Sequence, residues 1–128
     1  MLSLARILII DDDENIRAYL RAILEGEDGH ELQEARDGDE GIHLYRKYRF
    51  DLVITDILMP VKDGVELIME MTESFADARI IAMSGGGRGL DATFNLDMAR
   101  DFGALRVMSK PFSPEEVRKA VSELLPAP

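Results

Sequence analysis

Five polar residues stand where short apolar runs end. Asp11 and Asp12 follow Ile7-Leu8-Ile9-Ile10, Asp56 closes Leu52-Val53-Ile54-Thr55, Ser84 follows Arg79 to Met83, and Lys110 lies just beyond Leu105 to Met108. Three carboxylates and one lysine brought together repel. Two unit charges ~4 Å apart still cost about 4 kcal/mol at an effective dielectric of about 20. A divalent cation relieves that cost. Oxygen ligands, with no cysteine in the chain, favour Mg²⁺ or Mn²⁺ over zinc, and Mg²⁺ typically sits between one or two carboxylates and a phosphate. The chemistry this set suits is attack by the Asp56 carboxylate on a phosphoryl donor, with Mg²⁺ and Lys110 offsetting charge on the phosphoryl oxygens and Ser84 hydrogen-bonding one of them.

Such a set converges only if the runs are strands of one parallel sheet. Ala5 to Ile10 reads as a buried strand. Asp13 is placed to cap a helix whose inward stripe is Ile16, Tyr19, Leu20, Ile23 and Leu24, broken over Gly26 to Gly29. Glu31 to Ala35 is polar enough for a sheet edge, and Asp37-Gly38 opens a helix with Ile42, Leu44, Tyr45 and Tyr48 as its apolar positions. Leu52 to Asp56 is the central strand, and Pro60 to Gly64 an ordered loop. Val65, Leu67, Ile68 and Met71 carry a third helix, Gly85 to Gly89 a loop, and Asp91 to Phe102 a fourth helix. The last helix has the strongest signals: Ser113 at the N-cap, Pro114 at the first helical position and Glu116 at the third, a capping box. Alternating strands and helices imply right-handed crossovers and a doubly wound α/β fold. The expected form is a five-stranded parallel sheet of flavodoxin-like order 2-1-3-4-5, whose ligand crevice lies outside the carboxyl ends of the strands.

The 128 residues, 46% of them hydrophobic, fit one domain over 1–128 with a core over about 5–125. A formal net charge of -10 argues against direct binding to a nucleic-acid backbone, which takes a basic face. No apolar run approaches the ~18 residues of a membrane span, and Met1 to Ile10 is too short and too weakly basic for a secretory signal. The absence of cysteine suits a reducing compartment. The expectation is a cytoplasmic protein with no membrane insertion and no DNA-binding module.

Four stretches together carry a resemblance. Ile7-Leu8-Ile9-Ile10-Asp11-Asp12-Asp13-Glu14, Asp51 to Pro60 with Asp63-Gly64, Met83-Ser84-Gly85 and Ser109-Lys110-Pro111-Phe112 are similar, in this order, to the receiver domain of bacterial two-component response regulators, in its stand-alone, chemotaxis-regulator-like form. The resemblance covers about Arg6 to Leu125. It implies that Asp56 is the phosphoacceptor, and that Asp12, Asp56 and the Leu58 backbone carbonyl ligate Mg²⁺ while Asp11 acts largely through water. It also implies that Ser84 and Lys110 read the phosphoryl group, and that the donor is a sensor histidine kinase or a histidine phosphotransfer protein. The downstream protein target stays open. Such a chain is a signalling protein, not an enzyme in the ordinary sense. Val107 departs from the pattern, because receivers usually carry Tyr or Phe three residues before the lysine. The glycine-rich loop Gly85 to Leu90 is the alternative carrier of output.

Other readings compete. A Mg²⁺-dependent phosphohydrolase could use the same nucleophile, but such enzymes need a second acid nearby and Leu58 stands two residues after Asp56. A receiver-like module that is never phosphorylated is the third reading. Residue by residue, Asp11 and Asp12 could simply favour a helix start, Asp63-Gly64 reads as turn chemistry, the methionines as packing, and His30 and His43 as surface.

Overall fold

In the computed structural model, residues 5–57, 64–84, 99–101 and 103–125 are described. The strands are β1 (Arg6–Ile10), β2 (Glu31–Ala35), β3 (Leu52–Asp56), β4 (Ile80–Ser84) and β5 (Arg106–Ser109). They pair in parallel in the order β2-β1-β3-β4-β5. This is the expected doubly wound arrangement. The chain leaves β1 toward one edge of the sheet and β3 toward the other, so the crevice opens beyond the carboxyl ends of β1 and β3.

Both sheet faces are covered, which is why the strands read as continuous apolar runs and not as alternating ones. On one face Ile7, Ile9, Ile54 and Met83 pack with Leu20 of helix α1 (Glu14–Arg21), with Leu24 just beyond it, and with Val117 and Val121 of the C-terminal helix (Pro114–Leu124). On the other, Leu8, Ile10, Val53 and Ala82 meet Ile42 and Tyr45 of α2 (Gly38–Tyr48) and Leu67, Ile68 and Met71 of α3 (Gly64–Ser74). Burying each large aliphatic side chain contributes about 2 kcal/mol. Close approach has its own requirement at Gly41, where a Cβ would stand 2.5 Å from Ile10 Cδ1, so α2 rests directly on β1.

The helix starts follow their caps. The Asp13 carboxylate accepts from the Asn15 N–H, Asp37 from the Glu40 N–H, and Ser113 Oγ from the Glu116 N–H at 3.2 Å. The Glu116 carboxylate lies 3.5 Å from the Ser113 hydroxyl, not on the Ser113 N–H, so the N-cap forms as the spacing predicts while the return half of the capping box does not.

Several expectations need correction. The chain does not break at Gly26: after α1 it continues as a π-helical segment (Ala22–Glu27), with the Asp28 N–H reaching back to the Ile23 carbonyl. Gly29, at φ 77°, makes the turn instead. Tyr19 and Tyr48 are exposed, not inward, because an aromatic ring at the edge of the stripe keeps its hydroxyl toward water or a carbonyl; Tyr19 Oη donates to the Phe112 carbonyl. His30 is not a surface residue. It is 8% exposed, and its Nδ1 accepts the Ala5 N–H, a donor just before β1 that would otherwise lack a partner. His43 is exposed as expected. β4 begins at Ile80 and includes Ser84, and β5 begins at Arg106, with Leu105 largely exposed just before it.

The Leu58 carbonyl, the Pro60 to Asp63 turn, the loop after Ser84 and most of the expected fourth helix lie outside the described residues. Of that helix, residues 99–101 are helical. Among the described residues no helix is long and apolar enough to cross a membrane.

Candidate functional site

Strand ends deliver the site. Asp11 directly follows β1, with its N–H bonded to the Ala35 carbonyl of β2 at 3.1 Å. Asp56 closes β3, and Ser84 closes β4. Lys110 follows β5, and its N–H donates to the Ser84 carbonyl at 2.7 Å, so the two residues are placed by one backbone bond. The Lys110–Pro111 peptide is cis.

The side chains converge. Carboxylate oxygens of Asp11, Asp12 and Asp56 lie within 4.8 Å of one another. Lys110 Nζ donates to Asp11 Oδ2 at 2.9 Å and stands 3.6 Å from Asp56 Oδ1, bridging two of the three. Asp11 and Asp56 are buried, Asp12 is exposed at the mouth, and the Lys110 side chain is 17% exposed. The Ser84 hydroxyl is fully buried and has no hydrogen-bond partner among the described residues. A buried hydroxyl in that condition costs free energy until an acceptor arrives.

The electrostatics follow from burial and pairing. Burial pushes the Asp11 carboxyl above its ordinary range and the nearby Asp12 charge adds to this, although the Asp13 N–H at 2.9 Å and Lys110 both oppose it. For Lys110, burial pulls downward, but the hydrogen bond to Asp11 and the charges of Asp56 and Asp11 outweigh it and hold the ammonium above its ordinary value. One cation thus serves an excess of anionic oxygens. The residues present fit a hard divalent cation: the donors are all oxygen, two of the three carboxylates are buried, and one lysine cannot neutralise the group. They also fit a phosphoryl group, for which Lys110 and the Ser84 hydroxyl are the available donors.

Of the five residues singled out from sequence, the Asp11, Asp12, Asp56 and Lys110 side chains therefore come together, and Ser84 stands at the neighbouring strand end, joined to Lys110 by a backbone bond; Leu58 lies outside the described residues. Val107 is half-buried against Ala82 and the α3 side of the core. One neighbour of the site had no obvious motif. Arg17 of α1 donates from Nη1 to the Asp11 carbonyl and from Nε to Glu34 Oε1, each at 2.8 Å. The available signal was the pair Arg17 and Arg21, four apart on one helix face, opposite an acidic edge strand.

The chain matches the model of the response regulator receiver domain over residues 7–122. It is 37% identical over 122 residues to the chemotaxis protein CheY of Halobacterium salinarum, covering 95% of this chain and 98% of that one. It is 34% identical to sporulation initiation phosphotransferase F of Bacillus subtilis, covering 94% of each. Among solved structures, a response regulator receiver domain protein from Clostridium thermocellum superposes with a TM-score of 0.84 at 28% identity over 94% of both chains. CheY4 of Vibrio cholerae gives 0.83 at 27% identity, with 96% of this chain and 100% of that one covered. NtrX of Brucella abortus gives 0.87 at 27% identity, and there this chain spans 27% of the other's length. By its sheet order, its acidic crevice and these likenesses, the chain belongs to the response regulator receiver domain family of two-component signalling.

Proposed function

We propose that this receiver domain accepts a phosphoryl group on Asp56 and changes its protein contacts in response. An Asp56 carboxylate oxygen attacks the phosphorus of a phosphohistidine, the P–N bond breaks, and the histidine nitrogen leaves with the bonding pair. The acyl phosphate so formed is the signal. Lys110 moves from its carboxylate partners toward a phosphoryl oxygen, and the Ser84 hydroxyl donates to another. Asp11, Asp12 and Asp56, with the Leu58 carbonyl, are the residues that would hold Mg²⁺. When bound, that ion supplies the positive charge which a transferring phosphoryl group requires. Mn²⁺, with the same preference for oxygen, substitutes.

The observation that carries this reading is the three-carboxylate cluster bridged by Lys110, with a Ser84 hydroxyl at the neighbouring strand end that is buried and has no hydrogen-bond partner among the described residues. It asks for an anion with several oxygens and for a cation. The donor is a sensor histidine kinase or a histidine phosphotransfer protein, in the cytoplasm. The recipient of the signal is another protein, since the charge of -10 disfavours nucleic acid.

The test is intact mass after incubation with acetyl phosphate, with and without Mg²⁺. The reading expects one added phosphoryl mass in the wild type, lost in chelator and absent in Asp56→Asn. Donor turnover with no retained mass would favour the phosphohydrolase instead, whereas neither adduct nor turnover, with no binding of beryllofluoride as a phosphoryl mimic, would favour the module that is never phosphorylated.

A further inference from the structure

Each carboxylate of the acidic cluster should be held against the repulsion of the other two, and the means of holding differ. Asp11 is fixed twice, by the Asp13 N–H on Oδ1 and by Lys110 on Oδ2. Asp56 is buried at the end of β3 with Lys110 3.6 Å away. Asp12 is exposed, and no hydrogen bond holds its carboxylate among the described residues. Its direction is set by its backbone, hence by the Asp11–Asp12 peptide. The carbonyl of that peptide is the one Arg17 grips at 2.8 Å.

Arg17 is itself built in. Its side chain is 12% exposed, and the same guanidinium donates from Nε to Glu34 on β2. Glu34 is held in turn by Arg21 at 2.6 Å, and Arg21 also pairs with Glu25. A planar fork can bond two acceptors at a fixed angle, which an ammonium on a flexible stem cannot. The network therefore ties the edge strand and α1 to the one peptide plane that joins Asp11 to Asp12.

We infer that Arg17, locked by Glu34, is a positioning residue for the acidic crevice: it fixes the Asp11–Asp12 peptide so that the Asp12 carboxylate stays aimed at the divalent-cation position. The inference rests on the reading of that crevice as a Mg²⁺ site. It makes a prediction opposite in sign to simple electrostatics. Arg17 is a cation near an acidic cluster, so charge alone has its removal strengthen cation binding. Positioning has its removal weaken it, as loss of outer-shell support does at metal sites, typically by 10-fold or more.

The experiment is a Mn²⁺ titration of the full chain followed by the paramagnetic resonance signal of the free ion, with Mg²⁺ as competitor. The proteins are wild type, Arg17→Met, Glu34→Ala and the double variant, each first shown to be folded by its melt in chelator. Affinity about 10-fold weaker in Arg17→Met, weaker in Glu34→Ala, and no weaker in the double variant than in Arg17→Met supports the inference, because Glu34 then acts only through Arg17. Unchanged or tighter binding in Arg17→Met overturns it while leaving the Mg²⁺ site intact. No binding in wild type refutes the site itself and the inference with it. If Arg17→Met does not fold, Glu34→Ala decides alone: unchanged affinity there overturns the inference.

Discussion

Lys110 is the residue on which the resting crevice depends. It stands between a fully buried Asp11 and a nearly buried Asp56, and removing one partner of such a pair leaves an uncompensated buried charge, at a cost of about 3 kcal/mol. Lys110→Met is therefore expected to lower the urea midpoint measured in chelator by an amount corresponding to about that energy. Mg²⁺ should restore part of the loss, because it supplies the missing positive charge. Asp11, Asp12, Asp56, Ser84 and Lys110 were all legible in sequence because each is a polar residue terminating an apolar run, a pattern that needs no tertiary knowledge. His30 and Arg17 were not legible. The burial of His30 follows from the Ala5 N–H lying just outside the ladder and needing an acceptor, and Arg17 matters through a backbone carbonyl, which carries no side-chain signature.

At the scale of elements, the edge strand β2 is pinned to α1 by Glu34, which accepts from both Arg17 and Arg21. Burial raises the Glu34 carboxyl, but hydrogen bonds from Arg21 and Arg17 prevail and hold it below its ordinary value near 4.5. A lowered folded-state value means stability that is present above the unfolded value and is lost as pH falls through the folded one. Glu34→Gln should cost roughly 1 kcal/mol at pH 7 after allowing for solvent screening, and denaturant melts should show the gap closing as pH drops below 4.5. A gap that stays constant down to acid would remove the ion pairs from the account. The connection before β5 makes a separate prediction. Gly103 has φ 129°, and a Cβ there would lie 2.7 Å from Thr72 Cγ2 on α3. Gly103→Ala should destabilise by about 2 kcal/mol through backbone strain and that contact, read as a lower urea midpoint. The strands, the capped helix starts and the sheet order could be read from periodicity and punctuation. The π-helical continuation of α1 could not, because i→i−4 and i→i−5 bonding leave nearly the same apolar spacing over Ala22–Glu27.

The whole molecule is a sheet that gathers charge at one end. Its fold brings like charges together in the crevice, and a cation bound to the folded state alone would relieve their repulsion. Asp56→Asn removes one of three converging charges. It should melt roughly 3 °C higher than wild type in chelator and gain less from Mg²⁺ than wild type gains. A variant that melts lower than wild type in chelator and responds equally to Mg²⁺ would count against a cation site built on Asp56. Just beyond Lys110 the chain meets α1 near the surface, where the Phe112 carbonyl accepts from the Tyr19 hydroxyl and the two rings stand 6.0 Å apart.

The central claim is that the phosphoryl group is carried by one named carboxylate. Borohydride reduces an acyl phosphate to an alcohol, so treating the phosphorylated protein and sequencing its peptides marks the acceptor as homoserine. Homoserine is expected at position 56 only, in Mg²⁺ and a phosphodonor, and none without the donor. Homoserine at position 11 or 12, or a stable phosphoryl group that leaves position 56 as aspartate, would contradict it.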